Sequence, residues 1–202
     1  MTVVVFALPF EAGGWRVPGV GVCVLGVGGW RAGPAFRSWL DGQPEAPSRV
    51  ILAGLAGGLS PGVCVGDVFL VSGGSARLSG SLPEASMVTV DHVVATAREK
   101  RKLREQSRAV LCDMETSHLE AVCREAGIPW AGVRAVSDPA DTDLPVAGSL
   151  LMSPAKGRPA TMRMLAYVAT RPRVWPEFAA MVKNASRAQR QLATVLSRVL
   201  SP

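Results

Sequence analysis

The strongest constraint on this chain is a change of hydrophobic period within one short stretch. From Cys112 to Asp141 it reads CDMETSHLEAVCREAGIPWAGVRAVSDPAD. Leu119, Val122, Cys123 and Ala126 recur at helical spacing from a start near Glu115. Gly127 ends that helix and Pro129 prevents its restart. Trp130 to Val136 is then short and apolar, the pattern of a strand buried on both faces. The acids fall at the joints. Asp113 and Glu115 sit at the helix N-terminus; Ser137, Asp138 and Asp141 sit just past the carboxyl end of the strand. In open α/β sheets, ligands bind in the crevice outside that end.

The same alternation runs through the rest of the chain. Residues 2–8, 20–27, 49–55 and 63–71 read as strands, with shorter extended pieces at 89–94 and 109–111. Helices are expected from Arg31 to Leu40 and through the charged stretch ending near Gln106. The Gly/Ser-rich segment from Ser72 to Ser86 reads as a loop. After Asp143 strand signals stop, and two helical patterns follow, from Ala160 to Ala169 and from Trp175 to Leu200. Alternating strands and helices predict a three-layer α/β/α domain over residues 1–150. Residues 151–202 are expected as a helical C-terminal extension packed on it.

At 202 residues, 48% hydrophobic, the chain holds one sizeable core. Residues 2–8 are apolar, but no basic segment precedes them and Glu11 follows, so they do not read as a signal peptide. No apolar run reaches the ~20 residues of a membrane span. Cys23, Cys64, Cys112 and Cys123 show no metal-ligand spacing and read as buried thiols of a cytoplasmic protein. Charge is asymmetric. From residue 151 onward nine basic residues face one acid, Glu177, giving +8 against −2 for the remainder. This tail reads as a solvated helical face or as a surface for anionic lipid headgroups at the inner face of a membrane. No nucleic-acid motif accompanies it.

Three pieces, in order, resemble the nucleoside phosphorylase and nucleosidase superfamily. They are Ala7 to Glu11 and Ala53 to Pro61 with Val65-Gly66-Asp67-Val68. The third is Asp113-Met114-Glu115 with Arg134 to Asp138. Val88-Thr89-Val90, Val94 to Ala97 with Lys100, and Asp138 to Asp141 leading to Leu144-Pro145 are most similar to its hopanoid-associated group. Methylthioadenosine/S-adenosylhomocysteine nucleosidases are the next neighbours. The resemblance implies a central mixed sheet, partly rolled up, and a homodimer. It also implies cleavage of a purine N-glycosidic bond without a cofactor or metal.

Breaking such a bond requires a proton for the departing base, stabilisation of a cationic sugar, and a nucleophile. Asp138 matches the family's general acid to purine N7. Glu115 matches the carboxylate beneath the ribose. Glu11 matches the glutamate that positions water, and its charge would repel phosphate, which favours hydrolysis over phosphorolysis. Met114, Asp113 and Ser137, with Gly26, Gly28, Gly54, Ala56 and Gly57, would form the walls of the substrate pocket. Leu25 and Ala53 stand where relatives carry hydroxyls, a departure that would suit a bulkier, greasier substrate.

Blander readings stand beside these. Asp113 suits a helix cap, Glu115 and Asp138 suit a helix dipole and a turn, and the glycine runs suit tight connections. Glu115 and His118 form one E-x-x-H, too little for a metal site. His92 has no acid partner in sequence. The reading that unites these residues is a purine nucleosidase acting on an adenosine derivative such as adenosylhopane. A methylthioadenosine-type nucleosidase, a phosphate-dependent phosphorylase and a non-catalytic nucleoside-binding protein are the alternatives.

Overall fold

In the computed structural model, residues 1–153, 158–159 and 161–200 are described. Lys156 and Ala160, which belong to the basic tail and its first expected helix, lie outside the described residues. The elements run in chain order as strand β1 (Thr2–Phe6), helix α1 (Pro9–Ala12), β2 (Val20–Val24), α2 (Ala32–Asp41), β3 (Arg49–Gly58) and β4 (Val68–Val71). Next come β5 (Glu84–Ala85), β6 (Met87–Thr89), α3 (Ala97–Ser107), β7 (Leu111–Asp113), α4 (Thr116–Glu125) and β8 (Trp130–Asp138). The chain closes with α5 (Gly148–Leu151), the short antiparallel pair β9 (Met152–Ser153) and β10 (Arg158–Pro159), α6 (Thr161–Ala169) and α7 (Trp175–Leu200).

The sheet order is β2-β1-β3-β8-β4-β5, with β1, β2, β3 and β8 parallel and β4 antiparallel to β8. β1 leaves the flank of β3 at Ala53; further along, β7 takes that flank at Gly57 and Gly58 and brings β6 with it. The sheet therefore divides around the long strand β3 and rolls, as the resemblance implied.

Strand alternation assigns the two faces. Val4, Phe6, Ile51 and Ala53 point to the layer containing Ala188, Leu192 and Leu196 of α7. Val3, Val5, Val50 and Leu52 point to Phe36 of α2 and Leu119 and Cys123 of α4. This is the three-layer architecture expected. The tail helix α7 supplies five buried residues, so it is one of the two covering layers of the sheet.

Several local expectations need correction. The strand expected at 63–71 begins only at Val68. Residues 64–67 instead form a turn, in which Asp67 Oδ2 accepts from Cys64 N at 2.8 Å and Gly66 takes φ +93°. Cys64 is consequently exposed rather than buried. The 72–86 loop ends in β5, and strand pairs continue past Asp143 as β9 and β10. The strand expected at 109–111 is displaced to 111–113. Trp15 belongs to the core, edge-on to Phe6, while Trp39 stacks on Phe36 and Trp30 is half exposed.

Candidate active site

Three acids reach one cavity by different routes. Glu11 is carried by the single turn α1, directly after β1. Its Oε2 accepts from Leu8 N at 3.0 Å and its Oε1 from Leu55 N of β3 at 2.9 Å. The glycine at 54 admits it: a Cβ there would lie 2.7 Å from Glu11 Oε1. Burial pushes the Glu11 carboxyl above its ordinary 4.5, opposed by the Leu55 N–H and the Arg134 charge.

Glu115 is the N-cap residue of α4, and its Oε1 accepts from Gly29 N at 2.7 Å. A Cβ at Gly28 would lie 2.5 Å from the same oxygen. Burial, then the charges of Glu11 and Asp113, raise this carboxyl to about 7; the Gly29 N–H and Arg134 oppose them. Two glutamates thus share a poorly solvated site in which ionising either resists ionising the other.

Asp138 ends β8, where the ladder to β3 is interrupted. Ala56 pairs with Val136, but Gly57 pairs with Asp138, so Ser137 is an extra residue in the strand. Such a bulge breaks the strict alternation of side chains. Here neighbours Ser137 and Asp138 both line the cavity. Ser137 Oγ donates to Asp138 Oδ1 at 2.6 Å. The other oxygen, Oδ2, lies 2.6 Å from Nζ of Lys100, a fully buried lysine of α3. A Cβ at Gly57 would approach Asp138 Oδ2 to 3.3 Å and Cys112 Sγ to 3.1 Å.

A buried cation organises the floor. Arg134 of β8 donates through Nε and Nη2 to Asp113 Oδ2, at 3.2 and 3.0 Å. It also reaches Leu52 O at 2.7 Å and Thr116 Oγ1 at 2.7 Å. Asp113 Oδ2 also accepts from Thr116 N, at the start of α4, and its Oδ1 accepts from Thr89 Oγ1 at 2.8 Å. Every oxygen of Asp113 is therefore committed to protein partners, which ties β6, β7, β8 and α4 together beneath the cavity.

The cavity itself holds about 190 Å³. Glu11, Glu115 and Asp138 line it with the apolar groups Leu8, Val90, Met114, Leu144 and Met152. No lysine or arginine side chain lines it among the described residues. An adjoining cavity of about 360 Å³ shares His92, Val93, Met114 and Met152. Among the described residues no group of three or more His, Cys, Asp or Glu is placed to hold a metal ion.

Residues 77–170 match the sequence profile of the Phosphorylase superfamily. A 5′-methylthioadenosine/S-adenosyl homocysteine nucleosidase of Helicobacter pylori superimposes with a TM-score of 0.64 at 14% identity, covering 98% of this chain and 96% of that one. A futalosine hydrolase of the same organism gives 0.60 at 16%, covering 98% and 97%. A methylthioadenosine nucleosidase of Chlamydia trachomatis bound to adenine gives 0.61 at 15%, covering 98% and 95%. The fold is that of the phosphorylase superfamily. No curated protein matches the chain in sequence.

On this phosphorylase-superfamily fold, the residues expected from sequence separate into three sets. Glu11, Glu115, Asp138, Met114, Asp113, Ser137, Ala56 and Gly57 line the cavity. Gly28 and Gly54 stand behind the lining and leave room for the two glutamates. Gly26, at φ +72°, turns the chain after β2 outside the cavity lining. The two hydroxyl-lacking positions do not bear on the pocket as expected. Ala53 packs in the α7-side core and Leu25 against the α2/α4-side core, so neither residue lines the cavity. Lys100, Arg134 and Thr89 organise the site although sequence reasoning gave them no part in it. Their signals were present in the quoted motifs. Nothing local to those motifs shows that α3, β6 and β8 bring them beneath the acids. His92, read as a bland residue, lines both cavities.

Proposed function

We propose that the protein hydrolyses the N-glycosidic bond of a purine nucleoside, releasing the base. The observation that carries this reading is the convergence of Glu11, Glu115 and Asp138 on one cavity. Asp138 delivers a proton to purine N7 as the base leaves. Glu115, ionised beneath the sugar, favours the oxocarbenium-like cation at C1′. Glu11 orients water and takes its proton.

Water is favoured over phosphate by the charge of the cavity. Its lining has two glutamates where phosphate would need cationic donors, and Arg134 is engaged with Asp113. The structural neighbours named above are themselves nucleosidases and a hydrolase.

The substrate we propose is an adenosine derivative with a bulky apolar 5′-substituent, such as adenosylhopane. The inner cavity is small for a nucleoside, since small-molecule sites commonly span ~300–1,000 Å³. The adjoining cavity, reached past Met114 and Met152, gives a 5′-substituent somewhere to go. Exposed arginines at 163, 171 and 173, beside exposed Met162, Leu165 and Trp175, suit docking on anionic lipid. No helix among the described residues is long and apolar enough to cross a membrane.

The test is base release followed by chromatography, with adenosine derivatives of increasing 5′ bulk, with and without phosphate. Adenine release independent of phosphate and fastest with large apolar substituents is expected. Release only with phosphate would make the enzyme a phosphorylase. Salt-sensitive sedimentation with anionic vesicles, and none with neutral ones, is expected for the membrane surface; no binding at low salt removes that part.

A further inference from the structure

Among the described residues Lys100 is the most thoroughly buried charged one, with no exposed surface. It projects from α3, which starts in a reciprocal cap: Thr96 Oγ1 accepts from Glu99 N, and Glu99 Oε2 accepts from Thr96 N. The helix is locked to the segment after β8 in two further places. Ala97 N donates to Asp143 Oδ1 at 2.6 Å, and Leu144 N donates to Ala95 O at 2.7 Å. Lys100 completes the attachment by donating to Pro139 O at 2.7 Å and Thr142 O at 3.1 Å. Its third partner is the carboxylate of Asp138, at 2.6 Å. All three ammonium protons thus have acceptors, and one acceptor opens on the cavity.

A carboxylate bound to a buried ammonium has no proton of its own to give. The pair, however, carries one transferable proton that belongs to both groups together. We propose that Lys100 is a positioning residue and proton reservoir for Asp138, so that the departing purine is protonated by the Lys100–Asp138 pair rather than by an isolated acid. This rests on the nucleosidase reading and deepens it.

The step balances as follows. A Nζ–H bond breaks as Oδ2–H forms, leaving a neutral amine. The carboxyl O–H then breaks as N7–H forms, while the electron pair of the C1′–N9 bond moves onto the purine. Water adds to C1′ and its proton passes to Glu11. That proton leaves to solvent, and Lys100 regains one through Asp138 after the base departs. Charged and titratable neighbours do not compete for it. On β7, Asp113 is bound by Arg134, and burial pushes the Cys112 thiol up to about 12. Asp143 caps α3, and His92 lies on the cavity wall without a hydrogen bond to the pair.

The experiment compares two leaving groups. Adenine needs a proton at N7, whereas 4-nitrophenolate leaves from a ribofuranoside without one. In the wild-type enzyme, adenine release should persist above neutral pH. A decline there as steep as that of an isolated carboxyl acid overturns the proposal without any variant. Lys100→Met should lower kcat for adenine release about 100-fold at pH 8, with the deficit relative to wild type shrinking as pH falls, and leave nitrophenyl hydrolysis within about 3-fold. Lys100→Gln retains a donor for the two carbonyls but no transferable proton, and should behave the same way. Equal losses on both substrates would make Lys100 purely structural and overturn the proposal, as would no loss on either. A wild-type enzyme that hydrolyses neither substrate sinks the nucleosidase reading itself, and the reservoir with it.

Discussion

The two ends of the cavity solve the problem of buried carboxyl groups in opposite ways. At one end Asp138 has its own cation, Lys100, at 2.6 Å. At the other, Glu11 and Glu115 share a desolvated space while the nearest cation, Arg134, is engaged with Asp113. The glutamates are therefore pushed up, Glu11 by burial and the Asp113 charge, Glu115 to about 7 by burial and the charges of Glu11 and Asp113. The difference matches the two tasks of the proposed reaction. A proton must be held at the base end and delivered, whereas negative charge at the sugar end should be uncomfortable until a cation develops beside it. An anion whose solvation is poor interacts more strongly with charge that appears only in the transition state.

The sharpest way to break this contrast is to remove the acid. Asp138→Asn should lower kcat for adenine release by about 10³–10⁴, within the range of general acid catalysis. Circular dichroism should show a folded protein, because Lys100 keeps its bonds to Pro139 O and Thr142 O. Near wild-type turnover would remove Asp138 from the proton path. Glu11→Gln should cost about 10²–10³ in kcat, since the single amide oxygen accepts from only one of Leu8 N and Leu55 N and takes no proton from water. Unchanged hydrolysis would place the nucleophile elsewhere.

Glu115 tests the sugar end through pH. Activity should rise as Glu115 loses its proton, giving an acidic limb centred near 7. The sign for stability is opposite. With a folded value of about 7 against an ordinary 4.5, the native state binds the proton more tightly, so stability falls as pH rises through that window. Glu115→Gln removes the cost. It should abolish the acidic limb with most of the activity, and raise stability at pH 8 by about 1–3 kcal/mol with no gain below pH 4.5. Thermal melts at both pH values check this; equal stabilisation at both would show that burial alone, without ionisation, sets the effect.

The glycine behind Glu115 gives a smaller perturbation. A Cβ at Gly28 would meet Glu115 Oε1 at 2.5 Å, and this contact is the movable end of a side chain. Gly28→Ala should therefore displace the carboxylate without unfolding the protein. A misplacement of ~1 Å can cost about 10²-fold in rate, and a loss of 10- to 100-fold in kcat is expected. An unchanged rate would mean that Glu115 need not stand where it does.

The legibility of the site follows the same division. The acids were readable because each ends a local pattern: Glu11 after the first strand, Glu115 at a helix start, Asp138 after a buried strand. The layers were readable too, because apolar period separates strands from helices wherever the segments are long. What escaped were relations between segments. Lys100 sits in a run of charges, REKRK, where nothing local distinguishes the one buried lysine from its solvated neighbours. Arg134 interrupts an apolar strand, and only the meeting of β8 with β7 and α4 gives it Asp113 and Thr116 as partners. The bulge at Ser137 depends on a register with Ala56 of β3, 81 residues earlier in the chain, that no single segment encodes.

Ala53 offers the smallest and most specific test of that lesson. By position it invites the idea that a missing hydroxyl has altered the sugar site. In the fold its methyl group lies at the α7-side core with Val4 and Phe6, away from the cavity, while the adjacent Gly54 faces Glu11. Ala53→Ser should therefore restore nothing. It should leave kcat and KM within about 2-fold and destabilise the protein by about 1–2 kcal/mol, because a hydroxyl would enter an apolar layer. A gain in activity or a shift toward smaller 5′-substituents would contradict this orientation of β3. It would put position 53, rather than the neighbouring cavity past Met114 and Met152, in control of the substrate's 5′ end.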